Sequence, residues 1–196
     1  MLWIALAAQL TAARPVDPAG WFKDTNWQQL IPGKKVFGLE LFRVTVTPEG
    51  KPQDCKIEVT AGTPELDKLT CEQVMARGQF KPARWADGTR AYAVYRNNVL
   101  WADADSFDYQ RPMDVRIEVN DLPRGMHSPV DFSVDFAVAA DGKISQCETA
   151  DRTIDPALVS IACDQVTQSY PAVPARDAGG RPVASIQNVK VAFVVK

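Results

Sequence analysis

Four cysteines are the residues of this sequence whose spacing could do chemistry. Cys55 and Cys71 stand 16 apart in CKIEVTAGTPELDKLTC, and Cys147 and Cys163 stand 16 apart in CETADRTIDPALVSIAC. Thiols at that spacing can be oxidised to a disulfide, stay reduced as small buried groups, or ligate a metal. Zinc is normally held by four nitrogen or sulfur ligands in close pairs, whereas here no Cys-x-x-Cys occurs and the single histidine is His127. A redox-active dithiol also calls for a close pair. The favoured reading is one structural disulfide in each stretch, with four reduced, buried cysteines as its competitor.

Little else is arranged for catalysis. His127 stands in PRGMHSP, which reads as a solvated turn, and the sequence has neither a Gly-rich phosphate loop nor an HExxH helix. Asp103 and Asp105 fall in a stretch read as linker, and Arg84 and Arg176 recur at equivalent places as corner-fixing residues. The chain is therefore read as a non-enzyme with no cofactor and no metal. Lys and Arg number 22 against 24 Asp and Glu, for a net charge of -2 without a basic cluster, so nucleic acid is not an expected partner.

A repeated framework positions the cysteines. Shifting the chain by 92 aligns Val46–Trp101 with Val138–Phe193 without a gap, and 15 of 56 positions are identical. Unrelated sequences of ordinary composition would share about three or four. Within each copy Phe42, Val44 and Val46, or Val134, Phe136 and Val138, alternate with polar or small residues as in a half-buried strand. A PEGK or ADGK turn leads to a second strand carrying the first cysteine. Thr63-Pro64 or Asp155-Pro156 then opens a helix reaching about Arg77 or Ser169, with Leu66, Leu69 and Val74, or Leu158, Ile161 and Val166, as its inner face. A Pro-rich corner and a Gly-containing turn lead into a last alternating strand.

The expected fold class is α+β, as two tandem small domains, each a three-stranded antiparallel sheet covered by one helix. The first cysteine of each pair faces the helix that carries the second. A bridge at this separation stabilises a unit by about 3 kcal/mol in the chain-entropy account, a large share for small domains. The organisation expected is 1–13 as a signal-peptide remnant, 14–34 as a lead-in, 35–101 as the first domain, 102–112 as a linker and 113–196 as the second domain. MDVRIEVNDLPRGM, ahead of the second copy, alternates well enough to add a strand. The leader reading rests on the apolar run Leu2–Leu10 followed by small residues to Ala13, too short for the roughly 20 apolar residues of a membrane span.

The pattern VTVTPEGKPQDCKIEV followed by TPELDKLTCEQVMARGQFKPAR, then an Asp-Gly turn and a terminal alternating strand, resembles the TonB C-terminal domain family, and within it the cysteine-containing TonB-like periplasmic proteins. The resemblance is carried by Glu49-Gly50, Leu66-Asp67 and Phe80-Lys81-Pro82-Ala83. In the second copy it is carried by Asp141-Gly142, Leu158 and Pro174-Ala175, with Ala172 where the first has Phe80. It implies an exported protein of the periplasm, attached to the inner membrane where the true N-terminus is longer. It also implies a protein partner, an outer-membrane TonB-dependent transporter or an inner-membrane energising complex, bound by pairing a sheet edge with an extended segment. The candidate edges are the two last strands, with Tyr92, Val94, Arg96, Val99, Trp101, Ile186, Val191 and Phe193 as partner-binding residues. The alternative is a structural or accessory cell-envelope domain whose copies cover each other's edges.

Overall fold

The structure, a computed structural model, describes residues 9–33, 37–102 and 114–196. The first elements among the described residues are β1 (Arg14–Pro15) and two 3-10 turns (Pro18–Phe22 and Trp27–Leu30). The first copy then supplies β2 (Phe37–Val46), β3 (Pro52–Val59), α1 (Pro64–Arg77), β4 (Phe80–Lys81), β5 (Ala83–Arg84) and β6 (Arg90–Ala102). β7 (Val115–Val119) precedes the second copy, which supplies β8 (Val130–Val138), β9 (Ile144–Glu148), α2 (Pro156–Ser169), β10 (Ala175–Arg176), β11 (Pro182–Val183) and β12 (Ser185–Val195).

Local chemistry explains the element ends. Both helices begin on a proline, whose missing N–H is no loss in the first turn. Asp155 caps α2 by accepting from the Ala157 N–H at 2.8 Å, whereas the Thr63 side chain makes no capping bond to α1. Each helix buries a stripe of three residues four apart: Leu66, Thr70 and Val74 on α1, and Leu158, Ala162 and Val166 on α2. Leu69 and Ile161 were expected in that stripe, but Leu69 is only half-buried and Ile161 is 43% exposed. At the β2–β3 turn Gly50 has φ +80°, and a Cβ there would sit 2.2 Å from the Phe80 carbonyl oxygen. Arg84 and Arg176 close the corresponding later turns alike, donating to the Gly88 and Gly180 carbonyls at 2.7 and 2.6 Å.

The expected disulfides are present. Cys55–Cys71 ties β3 to α1 and Cys147–Cys163 ties β9 to α2, each with Cα atoms 5.5 Å apart.

The fold class expected from the sequence is not what forms. Instead of two tandem three-stranded sheets there is one eight-stranded mixed sheet, ordered β3-β2-β6-β12-β8-β9, with β5 joined to β6 and β7 joined to β12. The copies fuse where their last strands run in parallel, from Ser185 beside Tyr92 to Gln187 beside Val94. The physical reason is that each three-stranded unit ends in a strand with an unpaired row of N–H and C=O groups, and each last strand answers part of the other's row. Alternation within a strand carries no record of which neighbour it takes.

Register also fixes where the helices go. Ile186 lies beside Ala93 and packs with Val44, Val46 and Val74 in the core under α1, whereas Val189, Val191 and Phe193 pack with Leu158 and Val166 under α2. Successive residues of β12 thus serve opposite cores, and the two helices cover opposite faces of the sheet. The segment Leu10–Ala13, at the end of the stretch read as a leader, joins the α1-side core, with Leu10, Ala12 and Ala13 all buried. Its backbone exchanges hydrogen bonds with Arg84 through Thr11, and Ala12 N–H donates to the Asp135 carboxylate at 3.0 Å. Residues 1–8 and 103–113, which include most of the expected leader and linker and the Asp103/Asp105 pair, lie outside the described residues.

Candidate functional site

The two last strands, where the sequence places the binding edges, meet different fates. β12 lies between β8, along Ser185–Phe193, and two partners on its other side, β6 at Ser185–Gln187 and β7 at Val191–Val195. Between those two, the Lys190 N–H and carbonyl are taken by Asp114. Ile186, Val191 and Phe193 are fully buried core residues, and their strand is paired on both sides.

β6 is different. β2 pairs with it over Ala93–Ala102, but β12 follows it only at Tyr92–Val94 before the strands part. From Asn97 to Ala102 no strand among the described residues lies on the side away from β2. Tyr92 and Val94 therefore belong to the junction between copies, Arg96 stands at the mouth of the fork, and Val99 lies on the stretch paired on one side. Trp101 shares that stretch, although its indole is 3% exposed and packed with Ile31 and Leu66.

Arg96 holds the fork on the α2 face. Its Nε donates to Glu58 Oε2 at 3.1 Å and its Nη1 donates to the Tyr170 hydroxyl at 2.9 Å and to Gln187 Oε1 at 3.3 Å. The guanidinium also lies 5.5 Å from the centre of the Tyr170 ring. Glu58 is the extra residue of a bulge in β3 and accepts from Arg43 as well, at 3.3 Å, so one carboxylate joins β2, β3 and β6. On the other face, a cavity of about 240 Å³ opens between Val94–Arg96 and Asn188, roofed by Ala12–Pro15.

Beyond the fork, the outer face of the first copy is apolar. Alternation with buried Phe42 and Val44 turns Leu39 and Leu41 outward, and the cross-strand pairs Leu39–Leu100, Leu41–Asn98 and Leu41–Val59 complete the patch. Val59 is 47% exposed, and Asn98 Oδ1 is buried without a hydrogen-bond partner. The positions 92 residues on are Asp131, Ser133, Asp151, Lys190 and Ala192, and there Lys190 bridges Asp131 at 3.3 Å. The sister face is charged where this one is aliphatic.

Sequence reasoning missed Glu40 and Thr70, which meet Trp101 inside the first copy. Glu40 Oε2 accepts from Thr70 Oγ1 at 3.1 Å and from Trp101 Nε1 at 3.0 Å. Burial, opposed in part by those two bonds, pushes the Glu40 carboxyl up to about 7, and the negative charge of Asp67 adds to the rise. The available signal was the triplet Leu39-Glu40-Leu41, whose polarity is reversed in Asp131-Phe132-Ser133. His127 is exposed in its loop. Among the described residues no group of three or more His, Cys, Asp or Glu is placed to hold a metal ion, and no helix is long and apolar enough to cross a membrane. No family model, curated protein or solved structure matches the chain.

Proposed function

We propose that the protein is a periplasmic TonB-like interaction module that takes up an extended segment of an outer-membrane transporter as an added strand against Asn97–Ala102 of β6. The observation that carries the reading is that this stretch has a strand on one side only among the described residues. Backbone pairing supplies affinity in strand addition, and alternate side chains supply selectivity. Here the side chains of the incoming segment on the outer face would lie beside Asn98 and Leu100 of β6, and a donor among them would answer Asn98 Oδ1. Periplasmic location and energy coupling come from the family resemblance, which rests on the turn, helix-start and corner residues of the first copy.

A second reading, an accessory cell-envelope domain without an energy-transducing role, is favoured by one observation: β12 is paired on both sides, so the duplication itself covers sheet edge. Photoreactive groups decide between them. Placed at Leu100 of β6 and, as an interior control, at Val194 of β12, they are activated in envelope extracts. The transducer reading expects an outer-membrane transporter to be captured at Leu100 above the control. Equal labelling at both positions, or capture without a transporter, favours the accessory reading.

A further inference from the structure

Glu40 is fully buried on the α1 side of β2. One of its oxygens ties three elements together, β2 through its own backbone, α1 through Thr70 and β6 through Trp101, while Oε1 has no partner. A buried carboxyl with an unmatched oxygen is costly. The sister copy shows that this architecture does not require it. At the positions 92 residues on stand Phe132, Ala162 and Phe193, all buried, with the two phenyl rings stacked at 5.9 Å and 9°. Three contacting positions thus differ together, a hydrogen-bonded trio in one copy and an apolar trio in the other. What the polar trio adds is a group that can bind and release a proton inside the sheet.

Its position matters because Glu40 pairs in register with Val99, on the stretch of β6 that, among the described residues, has a strand on one side only. We propose that the protonation state of Glu40 sets how firmly Val99–Ala102 is held against β2 and α1, the strand end being closed when the carboxyl is protonated and opening more readily when it is ionised. This regulates the docking edge and so rests on the reading of β6 as the docking strand for its biological meaning. The titration near pH 7 agrees with the geometry, since burial outweighs the two hydrogen bonds that favour the anion. From α1 the charged group acting on Glu40 is Asp67, itself bonded by Thr60 Oγ1 and the Ala61 N–H. From β6 and the segment ahead of β2, the cluster around Trp101 contributes Val99, Trp27 and Ile31, which carry no charge.

The test is amide exchange of the full chain with both disulfides intact, at pH 5.5 and 8.5, corrected for the intrinsic pH dependence of exchange. With the carboxyl at about 7 in place and 4.5 once opened to water, linkage raises the opening equilibrium of Val99–Trp101 by about 30-fold across that range. Val191–Phe193, built on Phe132 in the sister copy, is expected to stay flat. E40Q removes the dependence, and the variant E40F/T70A/W101F, which copies the sister trio, removes it in a background the protein already uses. A flat wild-type profile, an equal change at Val191–Phe193, or a dependence that survives in either variant overturns the proposal. No partner enters this measurement, so a failure to capture a transporter bears on the docking reading and leaves this result standing.

Discussion

Cutting the bridge in the second copy is expected to destabilise the first. The variant Cys147→Ala/Cys163→Ala opens a disulfide whose half-cystines are 16 residues apart, and a loop of that size is worth about 3 kcal/mol in the chain-entropy account. The five tryptophans, Trp3, Trp21, Trp27, Trp85 and Trp101, all precede the second copy, so fluorescence reports on the first copy alone while far-ultraviolet dichroism reports on both. If the sheet melts as one unit, the two signals coincide and both move. For a urea slope of about 2 kcal/mol per molar, the midpoint falls by about 1.5 M in each. The structural grounds are that Ile186 and Ala137 of the second copy lie in the first copy's core, and that β6 and β12 share backbone pairing. The matching variant Cys55→Ala/Cys71→Ala, with the same spacing, should give a loss of similar size. A fluorescence midpoint that stays within about 0.3 M of wild type while dichroism gains an earlier phase would mean that the copies unfold separately and that the continuous sheet is energetically unimportant.

Two further outcomes follow from buried carboxyl groups. Because the Glu40 carboxyl is raised from 4.5 to about 7, the folded state holds its proton where the unfolded state has lost it. Stability conferred by protonation is therefore full below about pH 4.5 and is lost as pH rises to about 7, by roughly 2–3 kcal/mol between pH 5 and 8; urea unfolding of wild type against E40Q measures it, and parallel profiles would refute it. Asp135, 3% exposed, accepts from the Ala12 N–H and from Asn188 Nδ2, so Asp135→Ala is expected to cost about 1–3 kcal/mol and to speed exchange at Thr11 and Ala12 more than at α2. Uniform acceleration would place Asp135 in general packing instead.

The sequence made the units legible and left their union hidden. Prolines and turn glycines repeat at the same shift as the cysteines, so the helix limits, Pro64–Arg77 and Pro156–Ser169, follow from local chemistry. The parallel junction does not. Tyr92–Val94 and Ser185–Gln187 have the alternation of any half-buried strand, and pairing between them is a tertiary choice. The helix stripe was misread for a related reason: Leu69 and Ile161 are more apolar than Thr70 and Ala162, yet the four-residue spacing from Leu66 and Leu158 puts the smaller residues inside. At the site, Arg96 was singled out, but its reach to Tyr170 and Gln187 depends on the second copy lying alongside.

Duplication explains why one copy can carry both an unusual interior and an unusual exterior. Along β2 the order Leu39-Glu40-Leu41 puts leucines outside and a carboxyl inside, whereas Asp131-Phe132-Ser133, within β8, does the reverse. The second pattern is the one expected of a strand with one wet face and one dry face. The first departs from it on both faces at once, and does so beside the stretch of β6 that, among the described residues, has a strand on one side only. A fold under selection for stability alone has no reason to keep that inversion, since its own sister half supplies an apolar solution in the same slots. The inversion is intelligible if the second copy acts as the scaffold, covering Tyr92–Val94 of β6 and pinning the fork through Tyr170 and Gln187. The first copy is then free to hold a half-buried aliphatic surface beside a strand that, among the described residues, is paired on one side only.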